Sequence, residues 1–176
     1  MSQHSATVEQ RFIKLHHYSE KHYDAWPKGF NREKNKLEYN YDSDPKVTKD
    51  DDWNKHLHGE KHLTVVPWKS AEEFNCIFGV IDVDVYNDPK LLEELIEKAK
   101  EYKGIPVYSV SGGLQLWFYF EKAFPVPDVR SHLTALLKIF KLPKNTEIFP
   151  KNKKKTKKGN GIKAPCCGFL KPPGVN

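Results

Sequence analysis

From residue 76 onward the apolar positions of this chain fall into clear periods. Residues 76–85 form an apolar run of strand length, interrupted by two acids, Asp82 and Asp84. Residues 89–102 place Leu91, Leu92, Leu95, Ile96 and Ala99 at helical spacing, with Gly104 as a stop. Residues 105–111 read as a strand, and Gly112-Gly113 supplies a tight hairpin turn. Residues 114–121 alternate: Leu114, Leu116, Phe118 and Phe120 share one face, and Gln115, Trp117 and Tyr119 the other. Residues 129–140 predict a second helix with Leu133, Leu136, Leu137 and Phe140 as its apolar stripe, and residues 145–149 a last short strand.

Upstream the pattern is weaker. Phe12, Ile13, Leu15 and Tyr18 support a short helix within residues 8–23. Residues 24–56 are polar, punctuated by Pro27, Gly29 and Pro45 and by the acids Asp50, Asp51 and Asp52, and read as loop. Residues 63–66 suit a short strand ended by Pro67.

The order β-α-β-β-α-β is that of the ferredoxin-like split βαβ motif, shared by RNA-recognition domains. The expected class is α+β. Residues 71–176 would form an RRM-like catalytic core, and residues 1–70 a helical and loop extension packing on it as one compact unit. By analogy the strand order is 4-1-3-2. Helices on one sheet face would bury Ile81, Val83, Leu116, Phe118 and Ile148. The open face would carry Asp82, Asp84, Gln115, Trp117 and Glu147.

The acids are the chemistry-bearing feature. Residues i and i+2 of a strand point the same way, so Asp82 and Asp84 are expected side by side. Buried like charges repel, and a divalent cation relieves them. With Glu147 on the neighbouring strand they make a set of hard oxygen ligands suited to Mg²⁺ or Mn²⁺. Two such ions would activate a hydroxyl and stabilise a leaving pyrophosphate.

Charge adds a partner class. The chain of 176 residues carries a net charge of +6, which favours phosphate-bearing partners. Much of it lies directly after the Glu147 strand, in Lys151, Lys153, Lys154, Lys155, Lys157 and Lys158, a stretch able to track a phosphate backbone. Gly159-Asn160-Gly161-Ile162 then leads to Lys163, a cation expected to reach a triphosphate. Three cysteines, Cys76, Cys166 and Cys167, make no disulfide framework. No apolar run approaches the ~20 residues of a membrane span, so a cytoplasmic, membrane-free protein is expected.

Several motifs in order resemble the archaeo-eukaryotic primase superfamily, in the primase-polymerase form of mobile-element conflict systems and CRISPR-associated loci. Phe78-Gly79-Val80-Ile81-Asp82-Val83-Asp84 resembles the first catalytic motif. Ser109-Val110-Ser111-Gly112-Gly113-Leu114-Gln115 looks like the second, a serine- and glycine-rich turn that normally leads to a histidine. Thr146-Glu147-Ile148-Phe149-Pro150-Lys151, followed by Gly159 to Pro165, looks like the third, and Trp53 to Gly59 and Val65-Val66-Pro67 resemble a segment preceding the core.

The resemblance implies template-directed nucleotidyl transfer: DNA primase activity, DNA polymerase activity, or both. Asp82, Asp84 and Glu147 would hold two divalent ions, and Ser111, Gly113, Gln115 and Lys163 would contact the nucleotide. Implied partners are a DNA template or primer, nucleoside triphosphates, and a helicase or further domains of a longer protein, with the chain itself a monomer. Gln115 stands where the family usually has a histidine. Glutamine donates hydrogen bonds but carries no charge.

Two other readings stay open. His56-Leu57-His58 has the form of the metal-binding pair of rolling-circle replication endonucleases, with Tyr102 as the available nucleophile. A non-catalytic RNA-recognition-type module would stack bases on Trp117 and Tyr119. A zinc site at Cys166 and Cys167 lacks the usual ligand spacing.

Overall fold

A computed structural model describes residues 7–16, 21–33, 36–70, 72–86, 88–109, 113–154, 156 and 158–168. In chain order the elements are α1 (Val8–His16), β1 (Lys21–Asn31), β2 (Lys36–Tyr41), β3 (Lys46–Val47), α2 (Asp50–Leu57), β4 (His62–Val65), β5 (Asn75–Val83), α3 (Pro89–Glu101), β6 (Ile105–Tyr108), β7 (Leu114–Pro125), α4 (Val126–Ile139), β8 (Glu147–Phe149) and β9 (Ile162–Lys163).

The periodic half folds as its pattern predicts. Strands β6-β7-β5-β8 form one antiparallel sheet in that order, which is the expected 4-1-3-2. The Asp88 side chain caps α3 by accepting from the Leu91 amide at 3.0 Å, and Pro89 starts the helix without losing an intrahelical bond. Helices α3 and α4 cover one sheet face. Leu95, Leu133 and Leu136 meet Ile81, Val83, Leu116, Phe118 and Ile148 in one buried cluster.

The polar half departs from expectation. Residues 24–56 are not loop: they hold all of β2 and β3 and most of β1 and α2, and these strands belong to a second sheet of order β2-β1-β4-β9 with β3 on β1. Pro27 and Gly29 interrupt the apolar alternation of β1 but not its pairing, because a bulge between them absorbs the irregularity. The acidic run Asp50–Asp52 is the first turn of α2, where carboxylates favour the helix dipole. Charge pairs hold this sheet together. Asp24 takes Lys46 at 2.6 Å and Lys61 at 2.8 Å, and Lys61 also reaches Asp52 at 2.6 Å.

The second sheet and its helices sit against the far face of the first. Trp53, Leu63, Val65, Ile162 and Ala164 pack on Phe78, Val80, Trp117 and Phe149. Trp117 is 0% exposed, so the sheet face expected to be open at Trp117 is closed there. At its centre His16 donates from Nδ1 to the Phe12 carbonyl at 3.0 Å, leaving Nε2 to accept from the Tyr119 hydroxyl at 2.8 Å. Burial lowers the His16 pKa to about 4, so the ring stays neutral. The end of the face bearing the acids opens into a cleft.

Candidate active site

Three residues lie in a row across the core sheet: Asp82 on β5 pairs with Gln115 on β7 and with Glu147 on β8. Directly opposed side chains are close neighbours, so strand order alone brings the two acids together. Asp84 arrives differently from the expected same-face strand position. Strand β5 ends at Val83, and the Val85 amide bonds the Val83 carbonyl at 2.9 Å, turning the chain at Asp84.

The acids are gathered but not neutralised as a group. Burial, then the charges of Asp84 and Glu147, push the Asp82 carboxyl up to about 6, against a hydrogen bond from Gln115 and the Lys163 charge. Asp84 accepts from the Tyr86 hydroxyl, and Glu147 pairs with Lys151 at 2.6 Å. Among the described residues no three acidic, histidine or cysteine side chains converge into a ready-made metal cage. The donor set still fits a hard divalent cation, since three carboxylates line one cleft and one of them already resists ionisation.

A cleft of about 700 Å³ opens over these acids, between the two sheets. Asp82, Asp84, Gln115 and Glu147 line its core side, and Lys28, Tyr39, Tyr41 and Lys163 face them. The hairpin residues Lys28, Tyr39 and Tyr41 were not foreseen. The signal for the two tyrosines was their i, i+2 spacing, which puts both on one face of β2.

Lys163 reaches the cleft because β9 pairs with β4, Thr64 opposite Lys163. The approach needs glycine twice. A Cβ on Gly159, where φ is +76°, would sit 2.5 Å from the Trp68 ring, and one on Gly161 would sit 2.6 Å from Thr64 Cγ2. The Lys163 ammonium lies 3.5 Å above the Tyr39 ring centroid, a cation–π contact that fixes its position. The hydroxyls of Tyr39 and Thr64 both belong to this cleft lining and are buried without a hydrogen-bond partner among the described residues.

Gln115 is committed to the protein. Its Oε1 accepts from Trp117 Nε1 at 3.1 Å. An indole only donates, so the amide nitrogen is turned toward Asp82, with which the side chain is hydrogen-bonded. Gly113 closes the β6–β7 turn, its amide donating to Ser109 Oγ at 3.0 Å; Ser111 lies outside the described residues. Of the basic stretch, Lys151 lines the cleft and Lys154 is exposed. Lys153 lines a separate cleft on α4, and Lys158 pairs with Asp44 at 2.6 Å. Lys155 and Lys157 lie outside the described residues.

The geometry does not assemble the other constellations. His56 is buried on α2, where Nε2 donates to the Pro165 carbonyl at 2.8 Å and Nδ1 accepts from the Leu63 amide at 3.3 Å. His58 caps the same helix. Tyr102 packs against Phe140 of the helix-covered core. Trp117 is enclosed and the Tyr119 hydroxyl is engaged by His16, so no base-stacking platform is exposed there. Cys167 donates to the Lys61 carbonyl at 3.6 Å, and no metal-binding group forms around it among the described residues.

A family model described as the archaeo-eukaryotic primase domain of the TOTE conflict system matches residues 10–168. The chain belongs to this family. The match runs from α1 to beyond β9, so the archaeo-eukaryotic primase domain takes in both sheets and the cleft between them. At superfamily level the domain is of the primase-like nucleotidyltransferase type. A search of curated proteins finds no match to the chain. No helix among the described residues is long and apolar enough to cross a membrane.

Proposed function

We propose that this archaeo-eukaryotic primase domain is a template-dependent nucleotidyltransferase, a DNA primase or polymerase joining nucleotides with two divalent ions, Mg²⁺ or Mn²⁺. One observation carries the reading: Asp82, Asp84 and Glu147 line one wall of a cleft of about 700 Å³, and Lys163 stands on the opposite wall. Acids suited to cations opposite an ammonium suited to phosphate support the reading, since a nucleoside triphosphate with its metal needs both.

Asp82, Asp84 and Glu147 would hold the ions, which when bound lower the pKa of an attacking 3′-hydroxyl and neutralise triphosphate charge. Lys163, steadied over Tyr39, binds the phosphates. Gln115 holds the Asp82 carboxylate in one orientation, the part left to it without the family's usual histidine. Glu147 is free for a cation once Lys151 swings to a phosphate. The Tyr39 and Thr64 hydroxyls, without a partner among the described residues, are suited to a polar ligand. The strand partner is a DNA template or primer.

The test is incorporation of labelled ribo- and deoxyribonucleotides on a DNA template, with and without primer, in Mg²⁺ and in Mn²⁺. Asp82→Ala with Asp84→Ala should abolish incorporation while leaving the unfolding transition cooperative. Full activity in that double variant would sink the reading.

A further inference from the structure

A second cleft, of about 550 Å³, runs along the outer side of α4 and is lined by Arg130, Ser131, Thr134, Lys138 and Lys153. Its polar lining is three cations and two hydroxyls, with no carboxylate among the described lining residues. Arg130, Thr134 and Lys138 recur every four residues and so form one stripe of the helix. At 1.5 Å per residue, Arg130 and Lys138 stand about 12 Å apart along the axis. That is the length of three to four nucleotides, at about 3.4 Å each in a stacked strand.

The two clefts are joined by a short piece of chain. Lys151 lines the catalytic cleft and Lys153, two residues on, lines this one. The Arg130 guanidinium donates to the carbonyls of Pro150 and Lys151, the latter at 2.8 Å, fixing the chain where it passes from one to the other. A small anion would need one or two of these cations. A row of them, linked through the chain at Lys151–Lys153 to a nucleotide-sized cleft, suits a polyanion with evenly spaced charge.

We propose that the α4 stripe and Lys153 bind the sugar-phosphate backbone of a single nucleic-acid strand running out of the catalytic cleft. Its course from that cleft rests on the nucleotidyl-transfer reading; the binding itself does not. Cations and hydroxyls contact phosphate oxygens without reading bases, and no aromatic ring is among the described lining residues for stacking. The contact is therefore independent of sequence.

The experiment is fluorescence anisotropy of a labelled single-stranded oligonucleotide with the full chain, over about 50–200 mM salt. Lys138→Glu with Lys153→Glu is compared with Lys90→Glu and Lys100→Glu on α3, which change net charge equally. The groove variant should lose at least about tenfold in affinity, and the salt slope should fall by about 1.4, from two lost contacts of about 0.7 each. The α3 control should keep the slope. A milder Lys138→Gln, Lys153→Gln variant should lower the slope by a similar amount, which excludes misfolding from charge reversal. Equal losses in groove and control variants would overturn the proposal, as would a stronger response of anionic lipid vesicles than of oligonucleotide. The two readings fail separately. Asp82→Ala with Asp84→Ala should stop incorporation yet leave strand binding and its slope unchanged.

Discussion

Replacing Asp82 by asparagine should make the protein more stable while ending its proposed catalysis. The Asp82 carboxyl is pushed up to about 6 by burial and by Asp84 and Glu147, with Gln115 and Lys163 acting the other way. A carboxyl raised in the folded state stabilises the fold through its proton at low pH, and that contribution is lost as pH rises through the folded value. From 3.8 to about 6, at about 1.36 kcal/mol per pH unit, the ionised group costs the fold about 3 kcal/mol. Asp82 keeps some exposure, so about 2–3 kcal/mol is the working figure. Asparagine has nearly the same shape, cannot ionise, and its amide oxygen still accepts from Gln115. Urea unfolding, followed through the buried Trp53 and Trp117, should show Asp82→Asn ahead by that amount near pH 8. The gap should close toward pH 4. Taking the difference between the two proteins at each pH cancels His16, which titrates in both. Mn²⁺ should raise the native midpoint and leave that of Asp82→Asn nearly unmoved. A variant no more stable than the native protein near pH 8, or a gap unchanged on acidification, would refute the reasoning.

Gly159→Ala must carry a positive φ and put a methyl into the Trp68 ring, for a loss of about 2–4 kcal/mol, read by chemical denaturation. Displacement of Lys163 should accompany it, seen as a raised nucleotide KM. Tyr39→Leu removes the ring beneath Lys163 and should raise nucleotide KM about 2- to 10-fold. Tyr39→Phe keeps the ring and loses only the hydroxyl, so its KM should rise less than that of Tyr39→Leu; an equal loss in both variants would show that the hydroxyl matters and the cation–π contact does not.

The legible part of the chain was the part whose stability lies in apolar periods. The alternation of β7 and the stripes of α3 and α4 are one-residue-at-a-time statements of which side meets the core, and they gave Gln115, Asp82 and Glu147 their shared row. The second sheet was hidden because charge pairs such as Asp24 with Lys46 and Lys61 hold it, and Pro27 and Gly29 mimic a loop. Its tyrosines were missed with it. Trp117 shows a different limit. Its face was read correctly, but periodicity does not say what lies on that face, and the cover comes from α1, α2 and β4 far upstream. Asp84 shows a third, since a turn one residue past Val83, not strand register, sets its direction.

The pairing of β9 with β4 has a consequence for how the protein comes into being. The whole catalytic sheet lies between these two strands in sequence. A chain emerging from the ribosome therefore makes the acidic half of the site before the clasp that brings Lys163 over it. Until then the β4 edge is unpaired, the exposed state in which strands find wrong partners. Such late, long-range closure is slow. A chain released before residue 162 would display the three acids without Lys163 to face them.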